Sequence, residues 1–347
     1  MLAPVWAALG GGLVALVAAD IATTVLHPTL QGPLTQATMR GSWWLVDGVS
    51  RRLGRAALLS AGGPLAMLAM VGMWVLGICL GFALVYLPWI GGQFSYTPSV
   101  VYGDRGVVEA LYVSGMMATT VGLGDVVPQS DAFRVLAVVE AGAGLATFTA
   151  AITYLISVYP LISDVRATAR VTATGAPDAE GATGLALHGG QAELGRLQRG
   201  LVKFREDTNR FPVLFYFRSS DPTESFVALL RGAALVCLQL RWGLRASAVP
   251  YAPLFAAGLE DALRRVAEDY AGRFADHDLF RPLDAEDAEA RLARLRAAAG
   301  QVSPDAAVSS GAPPEGFCEL VGTLDALLED LARWQRYPYQ PLLAERA

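Results

Sequence analysis

Charge is what the first half of this chain lacks. Residues 1–170 hold eight arginines and eight acidic residues, against nineteen basic and twenty-four acidic residues in 171–347. With 53% hydrophobic residues, 17% charged residues and a mean hydropathy of +0.39, the chain is too apolar for a soluble enzyme of 347 residues. A membrane half is expected to precede a soluble half. The net charge of −5 arises wholly in the second half, where the two signs are interleaved, so there is no basic stripe for nucleic acid to follow. Cysteine and histidine are scarce as well. Cys79, Cys237 and Cys318 match neither disulfide nor metal-ligand spacing, and His27, His188 and His277 are too scattered for a metal centre or a His-based triad. No Gly-x-Gly-x-x-Gly follows a strand, and 195–347 show no phosphate loop and no nucleophile–base pair. The expectation is therefore a non-enzyme without a cofactor.

Long apolar runs are abundant where charge is missing. Residues 4–26 span a hydrocarbon core of about 30 Å as helix. No basic residue precedes them, so a retained helix is expected rather than a cleaved leader. Asp20 inside this run is costly facing lipid and is expected at the interface or against a neighbouring helix, with a gating or proton-sensing carboxylate as the competing reading. Residues 28–57 carry Pro28, Pro33, the Trp43-Trp44 pair and Arg51, Arg52 and Arg55, and an interfacial amphipathic segment is expected over about 38–59. A second spanning run, 64–90, closes with Tyr86, Pro88 and Trp89, and an aromatic, polar external segment follows to Arg105. Thirteen residues, Val107 to Thr119, are too few to cross and read as a re-entrant helix, tolerated where it packs in protein. A third spanning helix is expected from Phe133 to Val158. Arginines at 51–55 and 166–170 place those ends inside and the N-terminus outside.

Between the re-entrant and third helices lies Thr119-Thr120-Val121-Gly122-Leu123-Gly124-Asp125. Gly122 and Gly124 can adopt backbone angles closed to other residues, which allows the carbonyls of Thr120, Val121, Gly122 and Leu123 to point one way. Such a column of partial negative charge handles cations, with the Thr120 hydroxyl at one end and the Asp125 carboxylate past the other. These residues resemble the potassium-channel pore family, whose filter reads Thr-Val-Gly-Tyr-Gly before an aspartate and replaces the hydration shell of K⁺. The resemblance covers about 64–160. It implies a K⁺ selectivity filter of Thr120, Val121, Gly122, Leu123 and Gly124, with K⁺ bound at the first four and four chains around one pore. Thr119, Asp125 and Glu140 are the expected filter supports. Leu123 replaces the family's tyrosine and supplies no phenol, and Met116 stands where some members place a glutamate that pairs with the aspartate. The family's inner helix bends at the spacing of Gly144, which is therefore the candidate gating hinge; close helix packing explains a glycine there equally well. Thr147, Thr149, Thr153 and Tyr154 are candidates to line the lower cavity.

Beyond the third helix, 171–192 read as a connector. Helices are expected at about 191–208, 221–244, 253–275, 284–299 and 314–335, the second opened by Asp221 as N-cap and too rich in arginine for a fourth span. The expected architecture is an all-α membrane protein: three transmembrane helices, a re-entrant pore helix with filter loop, and a cytoplasmic helical domain. Its parts are 1–63, the N-terminal helix and connector; 64–160, the pore; 161–192, a linker; and 193–347, the helical domain. The expected function is a homotetrameric K⁺ channel of the cell membrane, with K⁺ and membrane lipid as partners. A weakly selective cation channel or a membrane-anchored signalling or sensor protein are the alternatives.

Overall fold

The structure, a computed structural model, describes residues 2–27, 29–97, 106–275, 277–309 and 311–344. Two compact units emerge: residues 1–52 with 61–159, and residues 53–60 with 160–347. The architecture is helical, with one two-stranded ribbon among the described residues.

In the first unit, α1 (Ala3–Leu26) and α3 (Gly62–Tyr86) pack antiparallel at very close range. Gly10, Gly77 and Gly81 make this approach possible. A Cβ on Gly81 would fall 2.6 Å from Cγ2 of Val14, and one on Gly77 would fall 2.8 Å from Cγ2 of Val17. Small residues four apart let backbones meet where lipid offers no hydrophobic drive for association. Between these helices in sequence, α2 (Pro33–Leu53) begins five residues earlier than the amphipathic stretch expected from 38 and ends before 59. Its Trp43 is buried against Gly62 while Trp44 is exposed, so the pair faces opposite ways.

Asp20 sets where α2 starts. Its Oδ1 accepts from the main-chain N–H of Leu34 (2.8 Å) and of Thr35 (3.2 Å), and its Oδ2 accepts from the Thr35 hydroxyl (2.5 Å) and the Trp74 indole N–H (3.0 Å). A helix begins with N–H groups that have no partner within it, and here a carboxylate from another helix supplies the cap. Four donors explain why a 1%-exposed carboxylate is tolerated inside an apolar run.

After α3, β1 (Phe94–Tyr96) pairs antiparallel with β2 (Val126–Pro128), matching Phe94 to Pro128 and Tyr96 to Val126. Between them stands α4 (Val107–Ala118), the re-entrant helix, nearly at the boundaries expected. Residues 98–105 of the external segment lie outside the described residues. α5 (Asp131–Gly175) runs without a break through Pro160 and belongs to both units, the first to Tyr159 and the second from Pro160. Tyr86, Trp89, Phe94 and Phe133 pack ring to ring, with centroids 5.5–6.1 Å apart along Tyr86–Phe94, Phe94–Phe133, Tyr86–Phe133 and Trp89–Phe133.

The second unit corrects the expected linker. Residues 161–192 are helical except at 176–178 and 189: the end of α5, then α6 (Ala179–His188) capped by Asp178, whose side chain accepts from the Gly181 N–H, then the start of the next helix. The Gly, Ala and Thr composition that reads as a loop is here stabilised by packing. Thr168 lies against Gly200 and Thr172 against Gly232, each glycine leaving room for the threonine methyl. Further on come α7 (Gly190–Arg210), α8 (Phe226–Leu238, continued to Gly243 by a π turn), α9 (Ala252–Ala271), α10 (Ala285–Val302) and α11 (Glu315–Gln335). Asp221 caps only a short 3₁₀ turn through Thr223, and Ser225 caps α8.

Among the described residues, four helical stretches are long and apolar enough to cross a membrane: Ala3–Leu26, Ala56–Trp89, Asp131–Gly175 and Phe226–Gly243. The last differs from the others. Its apolar window is 78% buried within the protein, against 17–39% for the first three. α6, α9 and α11 cover it, so it is the core of a helical domain and has no face left for lipid.

Candidate pore

The glycine-punctuated loop of residues 119–125 leaves α4 at Thr119, whose hydroxyl turns back to the Gly115 carbonyl (2.6 Å). Positive φ then recurs at every second residue: Thr120 at 59°, Gly122 at 53° and Gly124 at 77°, with Val121 and Leu123 on the ordinary side. Alternation of hand is what brings successive carbonyls onto one side of a strand, since consecutive residues of one hand would coil or pleat it. Two of the three positions are glycines, as the motif requires. The third is Thr120, a β-branched residue for which this conformation costs on the order of 1–3 kcal/mol and is kept only where surroundings enforce it. Its N–H bonds the Met117 carbonyl and the next N–H bonds that of Met116, tying the entry of the loop to the last turn of α4.

The rest of the loop is open. Val121 is 60% exposed and Leu123 65%, an unusual state for apolar side chains in a segment of this order. Asp125 finds its partner on α4: Tyr112 donates its phenol to Oδ2 at 2.6 Å, and Oδ1 accepts from the Val126 N–H at 3.0 Å. The chain then enters β2, where Thr97 N–H bonds the Asp125 carbonyl (2.9 Å) and Gln129 N–H bonds that of Gln93 (2.8 Å). The ribbon thereby fixes the exit of the loop as α4 fixes its entry.

Behind α4 lies Glu140, with no exposed surface. Tyr86 donates to its Oε2 at 2.7 Å, and Ser114 pairs with its Oε1. Three segments meet at this carboxyl group: α3, α4 and α5. Gly144, one turn further along α5, meets the end of α4 directly, since a Cβ there would fall 2.7 Å from the carbonyl carbon of Ala118. Gly142 has open space around it. The requirement for glycine at 144 is thus met by close approach to the residue just before the filter. Of the candidate cavity residues, Thr149 and Thr153 are exposed, whereas Thr147 is buried and Tyr154 packs edge-on against Trp74, centroids 6.4 Å apart. Tyr154 belongs to the protomer core. Among the described residues, no group of three or more His, Cys, Asp or Glu side chains is placed to hold a metal ion.

Neither Tyr112 and Ser114 nor the role of Tyr86 as a partner of Glu140 is foreseen in the sequence. A signal was present for one of them: Ser114 is a polar residue in an otherwise apolar helix, and such a residue needs a partner in lipid-buried protein. For Tyr112 the only cue is its place one turn before Met116, on the α4 face that the aspartate can reach.

The family model described as "Ion channel" matches residues 72–159, from the middle of α3 through the filter to the middle of α5. An uncharacterized membrane protein of Bacillus subtilis (strain 168), YdjJ, is 28% identical over 213 residues, which are 59% of this chain and 60% of that protein. The chain therefore matches about three fifths of that relative's length. No solved structure matches the chain. A short helix held within an apolar bundle and a loop of alternating backbone hand lie in the segment, residues 72–159, that matches the ion-channel family model, within a chain whose apolar helices are those of a membrane protein.

Proposed function

We propose that four copies of this chain surround a K⁺-selective pore that conducts passively. The observation that carries this reading is the loop: left-handed residues at 120, 122 and 124 with the side chains of Val121 and Leu123 uncovered in the single chain. Uncovered apolar residues on a strained, ordered loop call for a partner, and three further copies would supply one. K⁺ would sit at the carbonyls of Thr120, Val121, Gly122 and Leu123, with Gly124 closing the filter and Thr119, Asp125 and Glu140 supporting it. α5 is the gating helix, with Gly144 as its candidate pivot. The N-terminus lies outside, and the helical domain lies in the cytoplasm, where it assembles or regulates the tetramer.

The test is bi-ionic reversal potential in liposomes, combined with the mass of the detergent-solubilised oligomer. K⁺ selectivity and a tetrameric mass are expected. Fewer than four subunits would sink the reading, and so would normal flux in Gly122→Ala, where a methyl group opposes φ of +53°. A weakly selective cation pore is the second reading, favoured by the aliphatic Leu123 at the family's tyrosine position; equal Na⁺ and K⁺ permeability would establish it.

A further inference from the structure

The group behind the pore helix contains more hydrogen bonds than two hydroxyl protons can supply. The Tyr86 hydroxyl is 2.7 Å from Glu140 Oε2, Ser114 Oγ pairs with Glu140 Oε1, and the same Oγ is 2.7 Å from the Cys79 carbonyl oxygen. Three links need three protons. Tyr86 supplies one and Ser114 another, while a carbonyl has none to give. Ser114 cannot donate along both of its links with one hydroxyl.

We propose that Glu140 carries the third proton and, as a positioning residue, donates it to Ser114, which in turn donates to the Cys79 carbonyl and seats α4 against α3. The phenol of Tyr86 completes the chain by donating to Oε2. Every polar atom is then satisfied with no charge placed in an apolar site. Ionisation, with the proton leaving to water, removes one link. Either α4 loses its bond to α3 or the carboxylate faces a lone pair of Ser114. No cation compensates: among the described residues no basic side chain bonds or ion-pairs with Glu140. The titratable groups that face it are the thiol of Cys79 and the phenol of Tyr86 on α3, both neutral when protonated, and α4 faces it with the Ser114 hydroxyl. Of the carboxyl groups on and just past α4, Glu109 and Asp125, neither is bonded to Glu140 among the described residues. Among the described residues both oxygens of Glu109 are buried without a partner, so that group offers no donor to the network either.

The consequence for conduction rests on the channel reading. α4 ends at Ala118, and the filter is tied to its last turn, so the seat of α4 sets the position of the filter. Conduction should follow the protonation of Glu140.

Two measurements on the full-length protein in liposomes test this over one pH range. The first is the infrared carbonyl stretch of a protonated carboxyl group in a wild-type minus Glu140→Gln difference spectrum. The second is K⁺ flux. The band is expected in wild type and absent from Glu140→Gln. Where the band bleaches as pH rises, flux should fall on the order of tenfold, the worth of one buried hydrogen bond. Glu140→Gln, whose amide donates to Ser114 and accepts from Tyr86, should keep its flux across the range, whereas Glu140→Ala should lose it throughout. Absence of the band overturns the protonation. Flux that holds while the band bleaches, or falls while it persists, overturns the positioning role, as would failure of glutamine to rescue what alanine loses. A wild-type protein with no flux at all would sink the channel reading instead, and the band would still decide the proton.

Discussion

Replacing Asp20 by asparagine gives the sharpest test of how the first helix is held. The remaining oxygen can still accept from the N–H groups of Leu34 and Thr35. The new NH₂ points where Oδ2 was, towards the Thr35 hydroxyl and the Trp74 indole N–H. Thr35 can turn and accept, but an indole N–H can only donate. One charge-assisted hydrogen bond is thus lost, worth about 1.5–3 kcal/mol, while the indole N–H keeps its second acceptor, the Thr35 hydroxyl oxygen at 3.2 Å, so no further penalty for an unpaired donor is expected. Trp74→Phe removes the donor, so it should cost less in the asparagine background than in wild type, by roughly 1–3 kcal/mol. The cavity left by the smaller ring appears in both arms of the cycle and cancels. Denaturant midpoints of the detergent-solubilised protein, followed by helical circular dichroism, give the four free energies. Costs that add to within about 0.5 kcal/mol would show that the indole and the carboxylate are not coupled and would refute the clip.

Gly144→Ala should disturb the end of the pore helix at a cost of about 1–3 kcal/mol from overpacking and should impair selectivity, measured as the Na⁺ to K⁺ permeability ratio, while Gly142→Ala should be silent. If Gly144→Ala altered open probability with selectivity intact, the hinge would be its role and the contact with Ala118 incidental. Tyr112→Phe removes the phenol from Asp125 and should raise relative Na⁺ permeability by less than tenfold, since the pair is partly exposed; unchanged selectivity would mean that the ribbon alone holds the filter exit. In the second unit, the Asp221 carboxyl is held below its ordinary value by Thr223, through its hydroxyl and then its main-chain N–H, with a smaller contribution from Arg170 of α5. A lowered value means the contribution is complete above about 3.8, the ordinary value, and is lost as pH falls through the depressed one. Protection of the Thr223 amide against hydrogen exchange, corrected for the intrinsic rate, should therefore fall in acid, and Asp221→Asn should lower that protection at neutral pH and respond less to acid.

Several features were legible in the residues alone because each depends on local chemistry. The re-entrant helix follows from a count: twelve helical residues from Val107 to Ala118 rise about 18 Å, too short to cross. The hand reversals at Gly122 and Gly124 follow from the absence of a Cβ. Thr120 was not foreseen, because a β-branched residue adopts positive φ only when its neighbours impose it. The segment 171–192 misled for a related reason: threonine, alanine and glycine carry little periodicity, and tertiary packing, such as Thr172 against Gly232, favours its helical state.

The order of apolar runs, the short helix and the glycine-punctuated loop determined the membrane half and its kinship with ion channels, since length, hydropathy and the freedom of glycine are properties of the chain itself. Only the tertiary structure decided what the polar residues inside those runs do. Asp20 caps a helix that starts thirteen residues later, and Glu140 joins three segments that are far apart in sequence. A buried polar group takes its role from the donors and acceptors that folding brings to it, and those partners are not neighbours along the chain.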